Sequence, residues 1–106
     1  MDISEKSKMI DKIKSLVVEN KKLLEGFEEI YIFGSVLCTE SCPKDIDILL
    51  IYAAFETDLI EKRENIGRVF EKEMDLPVDI TMLSCVEKDE VNFLALIKNK
   101  YERIIW

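Results

Sequence analysis

Asp45 and Asp47 open the apolar run "DIDILLIY", and Asp79 lies inside the run "PVDITML". A charge in such a place is costly unless it points into a polar site. Asp45 and Asp47 are two apart, so on a strand their side chains share a face. Carboxylates that close repel one another unless something cationic sits between them. Magnesium suits the position, because it prefers oxygen ligands and is commonly held by one or two carboxylates together with substrate phosphates. Two such ions about 3.5–4 Å apart can activate an attacking oxygen and stabilise a leaving one. A third carboxylate helps to position the second ion or accepts the proton, and Asp79 can join the pair if its strand is a neighbour.

Upstream, Gly34 and Ser35 end the run "IYIF". Glycine lets the backbone approach a ligand closely. Ser35 brings a hydroxyl, and the N–H groups of a following turn can bind an anion. Lys44, next to Asp45, adds positive charge. Each feature alone reads as something ordinary: a turn, a solvated strand entry, an edge residue. Together, and in this order, they describe a triphosphate held by the Gly-Ser turn, with metal bridging it to the aspartates.

The elements that must position these residues follow from periodicity. Helical spacing of Met9, Ile10, Ile13, Leu16, Val17 and Leu24 predicts a helix over 3–25, with Ser4 as its N-cap and Gly26 as its stop. A short strand is predicted over 29–33, a helical turn and loop over 36–42, and a strand over 45–52. A second helix over 57–74 carries Leu59, Ile60, Ile66, Val69 and Phe70. A strand over 77–83, a helix over 87–99 with Val91, Phe93, Leu94 and Ile97, and a last strand over 102–106 complete the order. This predicts an α/β (α+β) fold, a small mixed sheet of about four strands backed by helices, in a single domain spanning 1–106. Leu49 and Ile51 share the aspartate face, while Ile46, Ile48 and Leu50 take the other. A strand apolar on both sides is a central one.

Composition narrows the chemistry. The net charge of −7 argues against duplex nucleic acid and anionic membranes as partners. No stretch has the length of a membrane span, and the charged N-terminus is unlike a signal peptide, so the expected location is the cytoplasm. The three cysteines, Cys38, Cys42 and Cys85, do not form a disulfide framework. The absence of histidine removes Ser-His-Asp and Cys-His catalysis.

The run "IYIFGS", the Asp-x-Asp strand "DIDILLIY" and the later "VDITML" together resemble the nucleotidyltransferase superfamily that includes the polymerase-beta-like catalytic domain. The size resembles its minimal members, some of which are antitoxins paired with helical HEPN ribonuclease toxins. The resemblance implies Gly34 and Ser35 in nucleotide binding, Asp45, Asp47 and Asp79 as ligands of two magnesium ions, and Asp79 as base for an attacking hydroxyl. It implies transfer of a nucleoside monophosphate from a nucleoside triphosphate, ATP being the expected one, to a hydroxyl, with a partner toxin as one candidate acceptor. Many minimal members follow Gly-Ser with an arginine and a further glycine; this chain has "GSVLCTESCPK" instead. That departure supports a second reading, an antitoxin-like binding subunit with weak or no catalysis. Three helices are few for both faces of a sheet, and "YERIIW" is an apolar chain end. A homodimer or a complex with a helical HEPN-type partner is therefore expected.

Overall fold

The computed structural model describes residues 3–37, 44–97 and 100–104. Helix α1 (Ile3–Glu19) leads into strand β1 (Phe27–Phe33), a 3-10 turn (Gly34–Leu37) and strand β2 (Ile46–Tyr52). Helix α2 (Asp58–Met74), strand β3 (Val78–Ser84), helices α3 (Cys85–Val91) and α4 (Phe93–Leu96), and strand β4 (Tyr101–Ile104) follow. The sheet order is β3-β2-β1-β4. β1 is antiparallel to both β2 and β4, whereas β2 and β3 are parallel. Parallel neighbours cannot be joined by a tight turn, and α2 supplies the crossover.

The helical stripes pack on one face of the sheet. Ile13, Leu16 and Val17 of α1 and Leu59, Ile66 and Phe70 of α2 bury against Ile30, Ile32, Ile46, Ile48, Leu50 and Ile104. On the other face Tyr31, Leu49 and Ile51 are buried beneath Phe33, Leu83, Cys85, Phe93 and Leu94. β2 is thus central and covered on both faces by this chain, and Ile104 belongs to the core at 2% exposure. The last strand reaches back to Tyr101; residues 105–106, including Trp106, lie outside the described residues, as do Cys38 and Cys42.

Two helices differ from expectation. α1 is already under way at Ser4, which is therefore inside the helix, and it ends at Glu19. Asn20 ends it: its side-chain amide donates to the Leu16 carbonyl oxygen at 2.8 Å, beside its own N–H at 3.0 Å. Asparagine commonly competes for local backbone acceptors in this way. A succession of turns then runs to Gly26, at φ +98°, and buries Leu24 on the way. The C-terminal helix begins earlier than expected, at Cys85, and is split by Asn92. Ser84 and Glu87 form a reciprocal capping box that fixes the start. Asn92 takes a left-handed conformation, φ 49°, which asparagine tolerates better than most residues. The break turns Val91 outward while Phe93 and Leu94 pack inward; Ile60 of α2 is likewise exposed.

α3 is tied to the sheet by charge. Lys88 Nζ lies 3.1 and 3.0 Å from the two carboxylate oxygens of Glu29, each side chain only 17% exposed. The Tyr31 hydroxyl also donates to Glu29, and Arg103 approaches it at 3.7 Å. Burial alone pushes the Glu29 carboxyl up. The hydrogen bonds from Tyr31 and Lys88 and the charges of Lys88 and Arg103 outweigh burial and hold it below its ordinary 4.5. Glu29→Gln should destabilise the chain near neutral pH by about 1.5–3 kcal/mol, the range for hydrogen bonds to charged groups. A depressed carboxyl contributes stability above its unfolded value and loses it as pH falls through the folded one. The urea midpoints of wild type and Glu29→Gln should therefore begin to converge as the pH falls below 4.5, and a deficit that does not shrink there would refute the assignment.

Candidate metal centre

Three elements end at one place. β1 delivers Phe33 beside Asp47 of β2, and β3 delivers Asp79 on the other side of Asp47. Asp45 lies in the bend just before β2. The parallel register pairs Asp47 directly with Asp79, so both carboxylates stand on one face despite their separation in sequence. One carboxylate oxygen from each of Asp45, Asp47 and Asp79 lies within 4.8 Å of the others. Asp45 and Asp47 are half-buried, and Asp79 is exposed on the edge strand.

Carboxylates this close repel one another. Burial raises the Asp47 carboxyl above its ordinary 3.8, and the charges of Asp45 and Asp79 raise it further. A cation of hard, oxygen-seeking character would relieve both effects, and three carboxylate donors with no nitrogen or sulfur suit magnesium better than zinc.

Gly34 makes room for this arrangement. Its φ is +81°, a region that side chains rarely adopt. A Cβ added there would lie 2.2 Å from Asp47 Oδ2. The glycine is thus favoured twice, by its backbone angle and by the carboxylate packed against it. Ser35 follows in the same 3-10 turn, and Lys44 is exposed in the bend before Asp45. The structure therefore brings the three aspartates and Gly34 together, with Ser35 and Lys44 adjacent in the chain. The helical stripe includes Phe93 but does not show its place beside the site: its ring meets Phe33 edge-on at 5.6 Å and so covers the neighbour of Asp47. No motif marks it; only the break at Asn92 and the sheet register bring it there.

No protein-family model matches the chain, and no curated protein does. Solved structures do. A candidate nucleotidyltransferase from Sulfolobus solfataricus is 28% identical, with TM-score 0.57 over 83% of this chain and 78% of that one. The complex of a tri-AMPylated Shewanella oneidensis HEPN toxin with its MNT antitoxin matches at 18% identity and TM-score 0.56, over 92% and 70% of the two chains. A toxin–antitoxin structure with AMP-PNP matches at 19% and TM-score 0.59, over 88% and 69%. Among the described residues, no helix is long and apolar enough to cross a membrane. The four-stranded mixed sheet, its helices and the neighbours that share them make the fold of this chain that of the minimal nucleotidyltransferases.

Proposed function

We propose that this chain is a magnesium-dependent nucleotidyltransferase that moves a nucleoside monophosphate from ATP to a hydroxyl group. The observation that carries this reading is the convergence of Asp45, Asp47 and Asp79 within 4.8 Å, beside a glycine that no other residue could replace without striking Asp47. In this reading the three aspartates hold magnesium. The Gly34–Leu37 turn, with Ser35, receives the phosphates, and Lys44 contributes charge. Bound magnesium would offset the charge on the triphosphate and favour departure of pyrophosphate. Asp79, exposed at the edge, is the carboxylate best placed to take the acceptor's proton.

The likeness to a complex containing AMP-PNP supports an adenine nucleotide, and the likeness to a complex with a HEPN toxin supports a helical HEPN-type protein as partner. Calorimetry with a nonhydrolysable ATP analogue tests the reading. Binding should appear with magnesium and disappear with a chelator, because the triphosphate and three carboxylates repel without a cation between them. Equal heat with and without magnesium would mean that the aspartates serve something else.

A further inference from the structure

β3 is an outer strand, and its backbone groups alternate between β2 and the open side. The Ile46 N–H donates to the Pro77 carbonyl oxygen at 2.9 Å, and Ile46 pairs with Val78. Pro77 and Asp79 therefore turn their backbone groups toward β2, while Val78, Ile80, Met82 and Ser84 turn theirs outward. Carboxylates occupy the two end donors of that outward row. The Val78 N–H donates to Glu71 Oε1 and the Ser84 N–H to Glu87 Oε1, each at 3.0 Å. Among the described residues, the outward groups of Ile80 and Met82 have no partner. Among the described residues, the edge is closed at its ends and open in the middle, beside the exposed carboxylate of Asp79.

Resting on the nucleotidyltransferase reading above, we propose that the acceptor is an extended polypeptide segment that adds to β3 as an antiparallel strand and presents a hydroxyl side chain opposite Asp79. Unpaired amide groups along a strand edge are what a polypeptide backbone recognises, and a free sugar or small alcohol cannot pair with the row. Because the backbone of Asp79 is engaged with β2, the residue facing it occupies a non-hydrogen-bonded position, where Cα atoms approach to about 4.5 Å and side chains are closest. Both side chains then stand on the aspartate face.

The next residue of the segment, opposite Val78, points to the other face. There Glu71, Asp75, Leu76 and Pro77 line a hollow at the end of α2. Two carboxylates at that spot, in a chain of net charge −7, select lysine or arginine after the hydroxyl residue. In the transfer, the hydroxyl oxygen bonds to the α-phosphorus of the nucleoside triphosphate while the bond from that phosphorus to the bridging oxygen of the β-phosphate breaks. The hydroxyl proton passes to Asp79 and pyrophosphate leaves.

The test uses the whole chain with magnesium and ATP labelled at the α-phosphate. The acceptors are the acetylated peptide amide Lys-Val-Val-Ser-Lys-Val-Lys and its tyrosine counterpart. N-acetylserinamide and N-acetyltyrosinamide serve as small acceptors, and each peptide is repeated with proline before the hydroxyl residue, which removes a strand-pairing N–H. At least one peptide should be labelled faster than its small acceptor and its proline version by about fivefold or more, the factor that one net backbone hydrogen bond supplies. Equal labelling within each set, or no peptide labelling by a chain that binds ATP with magnesium, would overturn the inference and leave the site reading in place. A chain that binds no nucleotide with magnesium would overturn both.

Discussion

Asp47→Asn should abolish magnesium-dependent nucleotide binding and, in the same protein, raise the stability of the metal-free fold. The two effects have one origin. Asp47 is half-buried between Phe33 and Asp79, and its carboxyl is raised first by burial and then by the charges of Asp45 and Asp79. Without a cation, three carboxylates within 4.8 Å repel. Removing one charge of such a group relieves about 1–3 kcal/mol, between the values for bulk water and for a surface cleft. In a chain of this length each kcal/mol moves the melting midpoint by roughly 4–8 °C. The amide is also a poorer magnesium ligand, so affinity should fall by at least the ~10–100-fold seen when even an outer-shell partner is lost. Thermal melts in chelator and calorimetric titration with magnesium and an ATP analogue read the two halves. A variant that melts lower than wild type in chelator and still binds nucleotide with magnesium would show that Asp47 is a structural residue.

Gly34→Ala should damage the same site from the other side. The added Cβ would lie 2.2 Å from Asp47 Oδ2, so either the turn or the carboxylate must move. The backbone angle of +81° adds a penalty of about 1–2 kcal/mol for a residue with a Cβ. The expected result is a chain destabilised by at least that amount, with magnesium-dependent binding weakened about 10–100-fold, as for a displaced metal shell. Its companion is the double variant Gly34→Ala with Asp47→Gly. Removing the Asp47 side chain clears the collision, so the alanine should destabilise the double background by less than it destabilises wild type. Equal destabilisation in both backgrounds would show that the contact with Asp47 does not matter.

Much of this was legible in the sequence because the signals were periodic. The alternation of Asp45 and Asp47 with Ile46 and Ile48 assigned opposite faces of β2, and the two buried clusters keep that assignment. The apolar stripes of α1 and α2 placed the core. What was not legible depended on competition or register. The end of α1 turns on whether Asn20 folds its amide back onto Leu16, which no period records. The split at Asn92 changes which of Val91 and Phe93 faces inward, and a continuous helical pattern cannot show it. The sequence left open whether Asp79 neighbours Asp47. Only the β2–β3 pairing decides it, and that pairing also makes Asp79 an edge residue without removing it from the site. The Glu29–Lys88 tie joins residues far apart in the chain, so neither one announces the other.

The parallel pairing of β2 with β3 has a consequence in time. β1 and β2 form an antiparallel pair joined by a short connection, which closes early and brings Gly34 against Asp47. Asp79 arrives only after the longer excursion through α2 is complete, and parallel pairings of this kind are intrinsically slow. It arrives as a negative charge approaching two others. The β2–β3 pairing is therefore a step the acidic group opposes, and one a bound cation would favour. Interactions formed that late slow unfolding rather than speed folding. Magnesium held there, as proposed above, would act on kinetic persistence, lengthening the time that the outer strand stays in place.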